Sequence, residues 1–354
     1  MINVGIVGGE SEAAGELIRI LINHPDVIIR GVAAPDFAGQ RVDKVHRGLT
    51  GDTDICFVNA IDPTEVNCVF LVGESWQAKA FLDALEKNEA VNADESDEET
   101  RLRVIDLTGS FLNGEREMVY GFPEFNRKAL VRGAVRTSIP SAIAIVTELA
   151  LFPLVKNHLL TGISHAAVTL PDRSLHADGC DVNRKEFSAD YHTSELSTRF
   201  DPIAPTIYRP DTETAAAAIV HGLREIDPGY EGSISLSMST DMSRRRGMTV
   251  TVDVPCQVNA DQVRLLYDEA YTDHGFTFPV DRKPVTADVA NTNKCLIAIE
   301  DAGDVEYKPD NSPLRITAVI DDIVKGCAGT AVHCMNLLFG LSEKTGLTLK
   351  ASAL

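Results

Sequence analysis

The feature that most constrains this chain is the alternation of short β-like and longer helix-like runs through its first third. Ile2 to Val7 reads as a buried strand by its apolar content. Ala13 to Leu21 follows, with Leu17, Ile20 and Leu21 at helical spacing. Val27 to Ala33 reads as a second strand and Cys68 to Val72 as a third. Trp76 to Lys87 reads as a helix and Val104 to Leu107 as another strand. Strands that alternate with helices in this way predict a parallel sheet with crossover helices.

The first strand-to-helix junction carries Gly5-x-x-Gly8, followed by Gly9 and Ser11. Glycines at such a turn let backbone N–H groups approach a pyrophosphate, so Gly5, Gly8, Gly9 and Ser11 are candidate cofactor-binding positions. The motif alone is short and weakly specific. Glu10 lies inside the same turn. Its carboxylate either faces the pyrophosphate, which costs binding energy in a desolvated cleft, or stands in solvent beside a helix N-terminus. Asp36 follows Ala34 and Pro35 at the end of the second strand. A carboxylate there accepts from a ribose 2′-hydroxyl and repels a 2′-phosphate, although after Pro35 it is equally a turn residue.

From about residue 160 the pattern changes. Gly232 to Met238 and Met248 to Val254 alternate, Leu314 to Ile320 is mostly β-formers, and Ala260 to Tyr271 is helical. An antiparallel sheet with flanking helices is expected, and a terminal helix over about Ile323 to Phe339. Glu86 to Arg103 is polar and acidic and reads as a solvated loop, with a docking tail for a basic partner as the other reading. The 354 residues suffice for two domains, and 44% hydrophobic with 24% charged residues is ordinary for a soluble globular protein. A formal net charge of −19 argues against nucleic acid or an anionic membrane as partner. No apolar run is long enough to span a bilayer, and the chain starts directly in a β-like run, so no export signal is expected. The seven cysteines are scattered without a C-x-x-C, which fits reduced thiols in a cytoplasmic protein. No His/Cys cluster has zinc spacing, so no metal is expected.

A second strand-to-helix junction, Ser138-Ile-Pro-Ser-Ala-Ile143, lies between the β-like run Gly133 to Thr137 and the helical run Ile143 to Lys156. A helix N-terminus favours developing negative charge and is a good seat for a thiolate nucleophile. Here the turn carries Ser141 and Ala142. Ser141 is read chiefly as a helix N-cap and otherwise as a substitute nucleophile without an evident base.

Several stretches resemble N-acetyl-γ-glutamyl-phosphate reductases, relatives of aspartate-semialdehyde dehydrogenase. They include Ile320-Asp-Asp-Ile-Val-Lys-Gly-Cys-Ala-Gly329 and its continuation to Leu341, and Val119-Tyr-Gly-Phe-Pro-Glu-Phe-Asn-Arg127. Asn291-Thr-Asn-Lys-Cys-Leu296, Ile105-Asp-Leu107, Val4 to Gly8 and Gly15-Glu-Leu17 also fit. The weakest stretch is about His165 to Arg246. The resemblance implies an NADPH-dependent reduction of an acyl phosphate to a semialdehyde, in arginine biosynthesis. It implies an attacking cysteine in N-P-G-C and a histidine in H-x-H-x-P-E. Matched without a gap, Ile139, Pro140, Ser141 and Ala142 stand at N-P-G-C. Tyr208-Arg-Pro-Asp-Thr-Glu213 is the best match to the histidine stretch, with Tyr208 and Pro210 at the histidine positions. Ser11 and Ala14 replace later loop glycines, and Gly73-Glu-Ser-Trp76 replaces a P-H-G-type turn. No arginine stands after the second strand.

The resemblance therefore implies a Rossmann-like NAD(P)-binding α/β domain over 1–141 plus 322–354. It implies an α+β, mixed-sheet substrate and dimerisation domain over 142–321. Lys325 and Gly326 join the cofactor candidates. Arg244, Arg245 and Arg246 are candidates for an anion site, or an exposed basic turn. Cys327 is the candidate for a relocated nucleophile, or a packed small side chain. NAD is expected over NADP. The expected protein is a cytoplasmic, non-catalytic or regulatory paralogue forming a homo-oligomer, a dimer or tetramer, or pairing with an active relative. The alternatives are an active NAD(P)-dependent oxidoreductase using a relocated nucleophile on an acyl phosphate or related anion, and a different reaction with Tyr208 or His176 as acid.

Overall fold

The computed structural model describes residues 1–91, 101–160, 162–172, 211–255, 259–301 and 313–351. They divide by proximity into two compact units. One holds Met1–Met118 with Val135–Ser138; the other holds Val119–Ala134, Ile139–Asp172 and the described residues from 211 onward.

The first unit is built on six strands: β1 (Ile2–Val7), β2 (Val27–Ala33), β3 (Phe57–Val58), β4 (Cys68–Leu71), β5 (Arg103–Asp106) and β7 (Arg136–Ser138). Their order is β3-β2-β1-β4-β5-β7, and the pairs run parallel, as the alternation predicts. β6 is Val119–Tyr120, in the other unit. Helices α1 (Glu12–Leu21) and α2 (Ser75–Val91) follow β1 and β4. Ala78, Leu82 and Leu85 form the buried stripe of α2 and pack on Val69, Leu71 and Val104. Truncating a buried leucine in such a stripe costs about 2–5 kcal/mol. α2 continues through Val91, so the acidic segment expected to be loop from Glu86 begins as helix. The reason is long-range: Arg136, 5% exposed, receives Glu86 at 2.7 Å and Glu89 at 2.8 Å, one helical turn apart on α2. The stretch 92–100 lies outside the described residues.

The second unit carries β8 (Ile163–Pro171), β9 (Ser233–Asp241), β10 (Met248–Val254), β11 (Thr277–Pro279), β12 (Cys295–Asp301) and β13 (Leu314–Ile320). The order is β11-β12-β13-β10-β8-β9. The expected antiparallel sheet is in fact mixed, because β8 pairs with β9, and β11 with β12, in parallel. Parallel neighbours need a crossover, and α5 (Thr212–Ile226) lies between β8 and β9 in the chain. α3 is Pro123–Val131 and α6 is Ala260–Tyr271. α4 (Ala142–Lys156) is buried from Ile143 to Val155, as a helix apolar on all sides must be. Pro153 inside it cannot donate to Leu149, four residues back, and the Tyr271 hydroxyl supplies that carbonyl at 2.6 Å.

The expected terminal helix is two pieces. A π-helical turn over Val324–Ala328 precedes α7 (Gly329–Leu338). Its wider ring is seen in Gly326 N–H donating to Asp321 O and Ala328 N–H to Ile323 O. α7 is buried throughout and packs beside α3, so by proximity residues after 321 group with the second unit, not the first.

Candidate functional site

In the first unit, the strand order reverses at β1, where β2 lies on one side and β4 on the other. Open parallel sheets bind ligands in the crevice outside the carboxyl ends of the strands at such a reversal. A cavity of about 340 Å³ sits there, with Val7, Gly8, Ala33, Pro35, Trp76 and Phe81 in its wall. Gly8 has φ +82° and a Cβ on it would fall 2.1 Å from the Gly73 Cα, so both conformation and space require glycine. Gly9 is pressed against Val32, and Gly5 against Ile61.

Three N–H groups of the turn are hydrogen-bonded, two of them to β2. Gly8 N–H and Gly9 N–H both donate to Ala33 O, at 3.1 and 2.9 Å, and Ser11 N–H donates to Gly8 O. Ser11 is the N-cap of α1, its Oγ accepting from Ala14 N–H at 3.1 Å. Glu10 folds partly inward, and its Oε2 is buried without a hydrogen-bond partner among the described residues. Asp36 is exposed, in a 3₁₀ turn over Pro35–Phe37. Sequence reasoning missed His46, whose Nε2 lies 2.7 Å from Gly9 O and whose ring packs on Gly15. Burial lowers the His46 pKa against that contact, and no local pattern at residue 46 announces the role.

In the second unit, Ser141 is the N-cap of α4: its Oγ accepts from Ala144 N–H at 3.3 Å. Ala142 opens the helix, half-buried, and a Cβ on Gly326 would lie 2.5 Å from the Ala142 Cβ. The methyl group is thus covered by the backbone of the π-helical turn. Cys327, the next residue, is half-buried. The thiols of Cys68, Cys295 and Cys334 are buried, and burial pushes each well above the ordinary thiol range, so they are poor nucleophiles. Cys180 and Cys256 lie outside the described residues, as do His176, Tyr208 and Pro210. Asp211, next along from Pro210, caps α5 by accepting from Thr214 N–H.

Lys325 does not reach solvent. Its ammonium is fully buried in an ion pair with Glu124 of α3, beneath the Phe276 ring. Thr277 Oγ1 donates to the same Glu124 oxygen. Burial works to raise the Glu124 pKa, and the Lys325 charge overrides it, holding the carboxyl below its usual range. Such a lysine positions the turn and is spent as a cofactor ligand. The arginine run is also dispersed. Arg246 Nε donates to the buried Asp321 at 2.6 Å, and Arg244 pairs with Asp241 and donates to Thr286. Arg245 is exposed. Of the three guanidinium groups expected to gather an anion, two are held by carboxylates. Chemically, the head of α4 offers a helix dipole and a methyl group, and the thiol nearest in sequence to its Gly326 contact among the described residues is that of Cys327.

No group of three or more His, Cys, Asp or Glu side chains able to hold a metal occurs among the described residues. No helix among them is long and apolar enough to cross a membrane.

Residues 3–132 match the family described as semialdehyde dehydrogenase, NAD binding domain. The chain is 34% identical to N-acetyl-gamma-glutamyl-phosphate reductase of Parabacteroides distasonis, over 100% of both chains. It is 33% identical to the enzyme of that name from Bacteroides thetaiotaomicron, again over 100% of both. Among solved structures, aspartate semialdehyde dehydrogenase II from Vibrio cholerae superposes with a TM-score of 0.63 at 15% identity, covering 96% of this chain and 99% of that one. Aspartate semialdehyde dehydrogenase with NADP from Candida albicans gives 0.64 at 12% identity, covering 96% and 98%. At these identities the structural likeness speaks for the fold.

Proposed function

This chain belongs to the N-acetyl-gamma-glutamyl-phosphate reductase family, and from that membership we propose that it is a member without the reductive chemistry, serving as a non-catalytic or regulatory paralogue. The observation that carries the reading is Ala142 at the head of α4, its methyl against Gly326, where the family's attacking sulfur is expected. Loss of a nucleophile costs on the order of a millionfold in kcat in an unrelated hydrolase. Ser141 does not replace it, since its hydroxyl caps the helix.

The glycine turn, the parallel sheet and the crevice support retained affinity for NAD(P). The exposed Asp36 after β2, with Ala34 and Pro35 before it, supports NAD over NADP. Assembly as a homo-oligomer through the second unit is supported by the small, exposed side chains on one face of β8 and β9, such as Ala167, Ser235 and Ser237. The same surface would serve pairing with an active relative.

Purified protein assayed with NADPH and N-acetyl-γ-glutamyl phosphate, and in reverse with the semialdehyde, NADP and phosphate, is expected to show no turnover. Turnover near ordinary enzyme rates, about 1 per second or more, refutes the reading. One observation favours an active oxidoreductase with a relocated nucleophile: half-buried Cys327 adjoins the residue packed on Ala142. Alkylation of the native protein followed by mass spectrometry decides it, and an unreactive Cys327 removes that alternative.

A further inference from the structure

We propose that His46 is a positioning residue for dinucleotide binding: its imidazole fixes the Gly9–Glu10 peptide so that the Glu10 N–H is presented to the pyrophosphate. The proposal rests on the reading that the first unit retains affinity for NAD(P). It names a residue outside the glycine turn that sets the shape of the turn.

The hydrogen bonds of the turn are the first argument. Of the N–H groups of residues 8 to 11, three are bonded inside the fold: those of Gly8 and Gly9 donate to Ala33 O, and that of Ser11 to Gly8 O. The Glu10 N–H has no partner among the described residues. It lies two positions from Gly8, which lines the crevice, and just ahead of the α1 N-cap Ser11, where the helix dipole is positive. Anions at glycine turns are bound by N–H groups of this kind. The carbonyl of the same peptide sets the direction of that N–H. In a trans peptide the C=O and N–H point to opposite sides, and the chain has no cis peptide bond among the described residues. His46 Nε2 lies 2.7 Å from Gly9 O. A carbonyl oxygen only accepts, so Nε2 carries the proton and donates it. Gly9 O is thereby held on the His46 side, and the Glu10 N–H faces the other way.

The ring is itself held in place, which is the second argument. His46 stands between two 3₁₀ turns, Val42–Lys44 and Arg47–Leu49. Its own N–H donates to Val42 O at 2.8 Å, and its ring meets Phe57 edge-on with centroids 6.2 Å apart. Burial lowers the His46 pKa, which favours the neutral ring with its one proton on Nε2. The other ring nitrogen faces α1. A Cβ on Gly15 would fall 2.5 Å from Nδ1, so the ring seats there only against a glycine. Gly15 lies inside α1, where helix propensity favours alanine, and its φ is not positive. The contact with His46 accounts for a glycine that the helix alone would not choose.

Glutamine carries its amide nitrogen as many bonds from Cα as the histidine Nε2, and asparagine as many as Nδ1. The full-length parent and the variants His46→Leu, His46→Asn, His46→Gln and Gly15→Ala are titrated with NAD and NADP in calorimetry. His46→Leu and His46→Asn are expected to lose roughly tenfold in affinity for whichever dinucleotide the parent binds, the worth of one hydrogen bond to a charged group. His46→Gln is expected to come back to within about threefold of the parent. Gly15→Ala keeps the imidazole and displaces it, and is expected to lose affinity about as much as His46→Leu. Nitrogen-15 NMR of the ligand-free parent is expected to show the proton on Nε2 for the histidine signal that is absent from His46→Gln. A proton on Nδ1 overturns the proposal, as does His46→Leu or Gly15→Ala binding like the parent, or asparagine restoring affinity as well as glutamine. A parent that binds neither NAD nor NADP sinks the reading of retained cofactor affinity and this proposal with it. A parent that binds as tightly as all four variants sinks this proposal alone. Neither readout involves hydride transfer.

Discussion

At the scale of single residues, burial decides what each charge can do. Glu124 and Lys325 are 1% and 0% exposed and answer each other. Removing one partner leaves the other charged and unpaired in the interior, at a cost of about 3–5 kcal/mol. Glu124→Leu and Lys325→Met are each expected to lose that much in urea unfolding, and the double variant to lose clearly less than the sum. Strict additivity would mean that the pair is not coupled. Glu148 of α4 is a different case. It is fully buried, accepts from the Tyr120 hydroxyl at 2.7 Å, and faces Gly222 of α5, with Glu225 of α5 adding a like charge. Burial pushes its pKa up to about 8. The folded state therefore holds a proton that the unfolded chain has released above its ordinary pKa of 4.5. Stability is fullest below that value and falls as pH rises toward 8. Glu148→Gln removes the titration, and is expected to be about 4 kcal/mol more stable than the parent at pH 8, with the gain falling below about 1 kcal/mol near pH 5. Equal pH slopes for parent and variant would show that Glu148 stays charged.

At the scale of elements, α4 shows how a rule is broken and mended. Proline inside a helix forfeits a hydrogen bond, and the freed Leu149 carbonyl is buried. Tyr271, from α6, donates to it. Tyr271→Phe keeps the ring and leaves the carbonyl orphaned, so a loss of about 1–3 kcal/mol is expected in denaturant unfolding. No loss would imply that the neighbouring donor, Tyr267, serves that carbonyl as well. The elements themselves were largely legible in the sequence. Val27–Ala33, Met248–Val254, Ala260–Tyr271 and Leu314–Ile320 fall where the periodicity puts them. The parallel pairing of β8 with β9 was not legible, because strand direction depends on the connection between them and not on alternation within either. The π-helical turn was also hidden, since one extra residue in a turn hardly changes an apolar pattern.

At the scale of the whole molecule, a formal charge of −19 on 354 residues makes self-repulsion a general term. Screening relieves it. Raising NaCl from about 0.05 to about 1 M is expected to increase Tm by about 2–5 °C in differential scanning fluorimetry. A falling Tm would show that attractive pairs, such as Arg136 with Glu86 and Glu89, outweigh the net repulsion.

The residue order alone determined where most strands and helices form, because period and turn chemistry are local. It also determined that the head of α4 carries no cysteine, because residue 142 is an alanine. What it did not determine was the fate of each polar group. Lys325 reads as a cofactor candidate in sequence, and in the fold Glu124, 201 positions away, holds it. The arginine run reads as an anion site in sequence, and in the fold Asp321 and Asp241 hold two of its guanidinium groups. Local pattern sets the shape of a segment, but a charge or a donor is free or spent only according to what distant segments bring against it, and that is settled when the chain closes on itself.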